Sequence, residues 1–256
     1  MGKLFKKTDN QLILKRRRKR RIKKVCMGMI FLMAVFFILC LKLPYFDIHH
    51  IKVYGNKSIS SSEIIRNSKI YTGDNIFYIN LKGVRDNILA NPYIQEVTIT
   101  RAFPDIININ VKERSSIFYC ENDKTYFVID KTGILLEERS NISNMQLVKL
   151  EGINYTNEDI GKTVKNKDVK KIKAITALGN MVENNDLSFK VTNLNVSDPM
   201  DIKVYFNSVC VKLGTVDDID KKINRAVNVL LDANLVSARG YIDVRFDTNP
   251  VFFTEN

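Results

Sequence analysis

The feature that most constrains this chain is an uncharged run, Val25 to Leu41 (VCMGMIFLMAVFFILCL), abutting a nearly all-basic one, Lys15 to Lys24 (KRRRKRRIKK). As a helix with about 1.5 Å rise per residue, the apolar run covers roughly 26 Å. Leu43 and a snorkelling Lys42 extend it toward the roughly 30 Å hydrocarbon core of a bilayer. Pro44 then stops the helix. These residues predict a basic tail over 1–24, a transmembrane helix over 25–43 and folded material from Tyr45 onward.

Charge sets the expected orientation. Residues 1–24 carry twelve Lys or Arg and one Asp, whereas the whole chain is +12. The remainder holds 28 basic and 27 acidic side chains, so the excess basicity sits beside the membrane. Positive flanks resist translocation, which predicts a cytoplasmic amino terminus and an extracytoplasmic carboxyl-terminal portion. Other readings of the segment fit worse. The exit ILCLKLPYF has no small-residue cleavage pattern, Cys40 follows Leu39 where a lipoprotein signal wants a small residue, and Gly2 precedes Lys6 where myristoylation wants Ser or Thr. Basic residues also neutralise phosphates of any sequence. With no folded reader module beside them, contact with anionic membrane lipid is expected and a nucleic-acid partner is not.

Beyond the anchor, the pattern opens as strand, helix, helix, strand, strand. Ile48 to Tyr54 reads as extended, leading into a Gly55-Asn56 turn. Ser60 with Glu63 is a capping-box pattern before Ile64 and Ile65. A second helix fits Asn80 to Ala90, ahead of Pro92. Tyr93 to Arg101 and Asp105 to Glu113 form a hairpin, the second strand alternating Ile107, Ile109, Val111 with Asn108, Asn110, Lys112.

Strands then dominate: Ile117 to Cys120, Thr125 to Asp130, Ile134 to Glu137 and Gln146 to Leu150, with a turn at Asp130 to Gly133. A helix fits Lys167 to Asn184, with Val169, Ile172, Ile175, Leu178 and Val182 as its apolar stripe. Strands at Phe189 to Val196, Ile202 to Phe206 and Ser208 to Leu213 follow. The last helix is expected to begin near Thr215, capped with Asp218, and to bury Ile219, Ile223, Ala226, Val227 and Leu230. Tyr241 to Phe246 closes the domain as a strand, leaving 247–256 as a tail. The fold class is α+β: one amino-terminal transmembrane helix, a first unit over 45–114, and a mixed β-rich domain with two helices over 115–246.

Catalytic chemistry is hard to place on these residues. The two histidines, His49 and His50, are adjacent, so on a strand they face opposite ways and cannot readily share a metal. No two glycines lie closer than Gly152 and Gly161, so no phosphate-cradling loop is encoded, and there is no G-x-S-x-G elbow. Ser61, Ser62, Ser115 and Ser116 read as turn and cap residues. Asp217, Asp218 and Asp220 suit the first turn of a helix. No catalytic residue, metal, cofactor or small-molecule substrate is therefore expected. Cys26 and Cys40 fall in the span; Cys120 and Cys210 fall in strands, where a disulfide and two buried thiols are both consistent with the sequence.

In order and spacing, the motifs of this chain resemble those of the FtsQ/DivIB family of bacterial cell-division proteins. The resemblance is carried by Phe46-x-Ile48-x-x-Ile51-x-Val53-x-Gly55-Asn56, Ser60-x-x-Glu63-Ile64, Asn75-Ile76-Phe77, Asn91-Pro92-Tyr93-Ile94, Arg101-x-Phe103-Pro104 and Val111-x-Glu113-Arg114. It continues through Val128-Ile129-Asp130-x-x-Gly133, Leu213-Gly214, Lys221-Lys222 and Ile242-Asp243-Val244-Arg245-Phe246. Ser115 and Ser116 stand where the family often has Pro after Glu-Arg. The resemblance implies a POTRA domain in the first unit and no enzyme activity. It further implies a place in the divisome at the septum, partners of the FtsL and FtsB/DivIC type, and help in regulating septal peptidoglycan synthesis. It centres partner binding on Arg245 and Phe246, with Tyr241 and Asp243 nearby, and we expect the strand 241–246 to be a sheet edge that a partner strand completes. A membrane-anchored extracytoplasmic enzyme and a transmembrane signalling regulator are the alternatives.

Overall fold

The computed structural model describes residues 7–163, 168–184, 189–232, 238–246 and 249–255. Lys167, the expected start of one helix, and residues 1–6, 247–248 and 256 of the two expected tails lie outside the described residues. Among the described residues the chain forms five α-helices and twelve strands, an α+β fold.

The first helix, α1 (Lys7–Lys42), is longer than the span alone: its 36 residues run unbroken through the basic segment into the apolar one. Lys and Arg are good helix formers, so nothing stops the helix at the charge boundary. It ends at Lys42, where the Leu43 amide still donates to the Leu39 carbonyl at 2.8 Å and Pro44 follows. Within Ile13–Leu39 the most apolar 18-residue window has a mean hydropathy of 2.2 and none of it is buried. An exposed apolar helix of that length takes lipid as its solvent. Among the described residues α1 is the one helix long and apolar enough to cross a membrane, a candidate single-pass anchor.

Two compact units make up the chain, one of residues 1–54, 59–85 and 98–110, the other of 55–58, 86–97 and 111–256. After α1 the chain continues with β1 (His50–Tyr54), α2 (Ser61–Ser68), α3 (Leu81–Leu89), β2 (Ile94–Ala102) and β3 (Ile106–Glu113). The sheet order is β1-β3-β2, with β1 parallel to β3 and His50 to Tyr54 opposite Ile106 to Asn110. As the alternation predicts, Ile107, Ile109 and Val111 of β3 are buried and Asn110 and Lys112 are exposed. Ile48, Ile64, Ile76, Ile107 and Ile109 are fully buried within the first unit. The Ser60 hydroxyl caps α2 by accepting the Glu63 amide at 3.2 Å.

The larger sheet has nine strands in the order β12-β11-β10-β9-β8-β7-β4-β5-β6. They are β4 (Ser116–Asn122), β5 (Thr125–Asp130), β6 (Leu135–Arg139), β7 (Val148–Glu151), β8 (Val191–Asn195), β9 (Ile202–Phe206), β10 (Val209–Gly214), β11 (Arg239–Asp243) and β12 (Val251–Glu255). Helices α4 (Val169–Glu183) and α5 (Ile219–Asp232) pack on it around one apolar core. In α5 the buried stripe is Ile219, Ile223, Ala226 and Leu230, with Val227 half-buried. The helix starts four residues after the expected Thr215, because Asp218 adopts a left-handed φ of 50° and ends the preceding turn. In α4 the expected stripe holds at Ile175 and Leu178, which are buried, and at Ile172 and Val182, which pack half-buried on the core, but not at Val169. Val169 is exposed, while Ala174, Ile175, Leu178 and Gly179 are buried. A Cβ on Gly179 would lie 2.7 Å from that of Lys131, so the helix approaches the β5–β6 turn where only glycine fits.

That turn is anchored by a buried carboxylate. Asp130, at the end of β5, is only 2% exposed. It accepts from Arg114 Nη1 at 2.8 Å, from the Thr132 amide at 2.8 Å and hydroxyl at 2.8 and 2.9 Å, and from the Ile134 amide at 2.9 Å. Glu113 beside it accepts the Lys57 and Ser58 amides, each at 2.8 Å. The Glu-Arg pair that ends β3 therefore holds backbone and a buried charge.

Cys120 lies on β4 and Cys210 on β10, with β7, β8 and β9 between them, and both are free thiols. Four strand spacings of about 4.8 Å separate them by roughly 19 Å, far beyond the roughly 7 Å Cα reach of a disulfide. Burial raises both thiol pKa values, Cys120 to about 11. Denatured protein should label equally with a thiol reagent before and after reduction; a gain on reduction contradicts this arrangement.

Candidate functional site

The far end of the nine-stranded sheet is built from β10, β11 and β12. β11 runs parallel to β10 and antiparallel to β12, with Cys210 and Phe253 opposite Tyr241, and Lys212 and Val251 opposite Asp243. Gly240 permits the last pairing. At its φ of 151° a Cβ would stand 1.9 Å from the Phe253 carbonyl oxygen, so a side chain there would push β12 away.

Ile242 and Val244 are fully buried and fix the strand to the core. The alternate positions build an outward cluster. The Tyr241 ring stacks on Phe253 with centroids 5.7 Å apart, and Lys212 Nζ lies 3.8 Å over the same tyrosine ring. The Arg245 guanidinium grips Asp243, with Nε 3.0 Å from both carboxylate oxygens and Nη2 2.6 Å from Oδ2. That hydrogen-bonded pairing holds the Asp243 carboxyl below the usual carboxylate range, against the opposing effect of burial. Its contribution to stability is full above the ordinary Asp pKa and is lost as pH falls through the lowered one. Arg245 also packs against Gly214, where a Cβ would come within 3.0 Å of its Cγ. Arg225 Nη2 donates to the carbonyls of Val244 and Phe246, each at 3.0 Å, which fixes the chain as it leaves β11. The Phe246 ring is 67% exposed.

The structure thus places Tyr241 and Asp243 on one strand and brings Arg245 onto Asp243, while Phe246 lies beyond the strand in a bend. It corrects the expected edge. β11 ends at Asp243 and is an inner strand; the sheet ends instead on β12, drawn from the segment read as a tail. The tail reading failed because Val251 to Glu255 follows Asn249-Pro250 as a five-residue run, and pairing with β11 depends on a chain reversal no local pattern announces. The one available signal was Gly240 at a position where β11 needs close backbone approach.

The two ends of this sheet differ in chemistry. On β6 the exposed residues include Glu138 and Arg139, and Arg139 pairs with Glu137. Charge of this kind blunts an edge. On β12, Val251, Phe252 and Phe253 are each more than half exposed, with Phe246 nearby in sequence. The cavity suited to an alternative, catalytic reading lies elsewhere in the larger unit. It measures about 470 Å³ and is lined by Lys57, Glu113, Arg114, Asp130, Lys131 and Glu183 among others. Arg114 is bound to Asp130, and Lys131 Nζ lies 2.6 Å from Glu183, holding that carboxyl below its ordinary pKa.

Residues 46–114 match the family model of the FtsQ-type POTRA domain, and residues 118–245 match that of the cell division protein FtsQ/DivIB carboxyl-terminal region. The chain is 43% identical to the cell division protein DivIB of Clostridium botulinum strain Hall over 256 residues, which is all of both chains. Against DivIB of Clostridium acetobutylicum it is 45% identical over 248 residues, 96% of this chain and 98% of the relative. Against DivIB of Bacillus subtilis it is 30% identical over 122 residues, 47% of this chain and 46% of the relative. With both of its folded regions matched in order and full-length relatives at this identity, the chain belongs to the FtsQ/DivIB family of cell-division proteins.

Proposed function

We propose that this protein is a non-enzymatic bitopic scaffold of the divisome that takes a partner strand on the β12 edge of its larger sheet. In this reading the basic tail is cytoplasmic and rests on anionic lipid, α1 spans the membrane, and the domains outside it gather division proteins of the FtsL and FtsB/DivIC type at the septum. Through that assembly it helps regulate septal peptidoglycan synthesis, without a small-molecule substrate, a cofactor or nucleic acid. The orientation rests on the positive flank at the amino-terminal end of the span. The observation that carries the partner site is the contrast between the sheet's ends: a charged edge on β6 and an apolar, exposed edge on β12.

Strand addition fits this edge chemically. The outer side of β12 offers backbone N–H and C=O groups for a ladder, and alternate side chains supply specificity. Tyr241 supports the Phe253 ring from below, and the Asp243–Arg245 pair holds the bend that presents Phe246. Phe246→Glu tests the site, because so exposed a ring can be replaced without unfolding the domain. Loss of a central aromatic contact of about 2 kcal/mol weakens capture of FtsL- and DivIC-type partners by roughly 30-fold. Undiminished co-purification by a folded variant rejects Phe246 as part of the site.

A further inference from the structure

A second exposed aromatic cluster lies within the first unit, beside the exit of α1. The chain leaves the helix through a single 3-10 turn, Pro44–Phe46, in which the Phe46 amide donates to the Leu43 carbonyl at 3.2 Å and the Asp47 amide to Pro44 at 3.0 Å. Phe46 is thereby held one turn from the end of the span. The Tyr45 and Phe46 rings meet edge-on at 5.2 Å; Phe77 follows 5.2 Å from Phe46, and Phe103 5.3 Å from Phe77. Three separate segments therefore deliver one continuous row of rings.

The row is built rather than incidental. The Ile76 amide donates to the Phe46 carbonyl at 2.9 Å, Asn75 Oδ1 accepts the Phe77 amide at 3.0 Å, and Arg101 binds the Ile76 and Ile79 carbonyls at 2.8 and 2.7 Å. These bonds lock the 75–79 loop against the exit turn and next to the hairpin tip that carries Phe103. Even so, Tyr45, Tyr78 and Phe103 are each more than half exposed and Phe77 more than a third. An apolar, rigid patch left in water has an occupant.

We propose that this row lies in the interfacial layer of the bilayer, so that the first unit is docked on the lipid surface where α1 emerges instead of hanging from a free tether. The occupant follows from connectivity. A bilayer's polar layer is roughly 5–8 Å deep on each side. The covalent exit holds Phe46 at that height, and Phe103 lies only two ring contacts beyond it, of 5.2 and 5.3 Å. Aromatic side chains favour this layer, where an apolar body meets lipid and a polar tip stays wet, as the hydroxyls of Tyr45 and Tyr78 would. The inference rests on α1 being the membrane anchor.

The chain contains no tryptophan, so one introduced indole reports alone. The full-length protein is reconstituted in phosphatidylcholine–phosphatidylglycerol vesicles, with or without phosphatidylcholine brominated near the headgroup end of its acyl chains. The variants are Phe103→Trp, Tyr78→Trp, Tyr54→Trp at the far end of β1, and Phe36→Trp within α1. Docking predicts blue-shifted emission at positions 103 and 78, with quenching at least about two-fold stronger than at 54. Tyr78 is so exposed that its replacement cannot disturb the core. Water-like, unquenched emission at 103 and 78 with a quenched Phe36→Trp overturns docking and leaves the anchor standing. A blue shift without bromolipid quenching also overturns it, since a second copy or another protein then covers the row. An unquenched Phe36→Trp removes the anchor itself, and docking with it.

Discussion

Replacing Asp130 by alanine is expected to lower the unfolding free energy of the larger unit by about 3–5 kcal/mol. The carboxylate is 2% exposed and is shared among Arg114, the Thr132 amide and hydroxyl, and the Ile134 amide. Alanine removes every acceptor at once. It leaves a mostly buried guanidinium uncompensated, and two amides and a hydroxyl lose a bond each. Against a typical stability of about 5–15 kcal/mol, such a loss is a large fraction of what holds the domain folded. Asp130→Asn keeps the shape and one acceptor oxygen, so it should lose less, about 1–3 kcal/mol. Denaturant unfolding of the two variants measures both. A loss under about 1 kcal/mol for the alanine variant contradicts the central role given to this carboxylate.

The second large effect falls on binding and spares the fold. A chain ending at Pro250 lacks β12 but keeps Ile242 and Val244, whose burial fixes β11 to the core. The removed residues 251–254 are exposed on both faces, so little core is lost. The thermal midpoint should stay within about 4 °C, roughly 1 kcal/mol for a domain of this size. Partner capture should fall at least about 100-fold, because Phe252, Phe253 and the strand ladder are lost together. A truncated chain that folds and still captures its partners at full strength removes β12 from the account.

What could be read from the residues followed from local physics. The apolar run at 25–41 needs only length and hydropathy, the alternation in β3 only a two-residue period, and the Ser60 cap only a hydroxyl three residues before Glu63. The Asp130 turn was legible as a turn, yet its pairing with Arg114 was not, since a carboxylate in a turn does not name a partner sixteen residues away. The α4 stripe held at Ile172, Ile175, Leu178 and Val182 and missed at Val169, the first residue of the helix, while the burial of Gly179 depends on its close approach to Lys131 in the β5–β6 turn, which a periodic pattern does not encode. At the candidate site, Tyr241, Asp243, Arg245 and Phe246 were visible as a motif. The strand that makes the edge was not, because β12 earns its place only by pairing with β11 across the reversal after Phe246.

The central claim, a division scaffold that works through its β12 edge, is tested most directly by depletion with complementation in the parent bacterium. Depleted cells should filament, a tagged full-length copy should collect at mid-cell and restore septation, and the copy ending at Pro250 should reach the membrane yet fail to restore it. Normal septation in depleted cells, or full rescue by the shortened copy, contradicts the account.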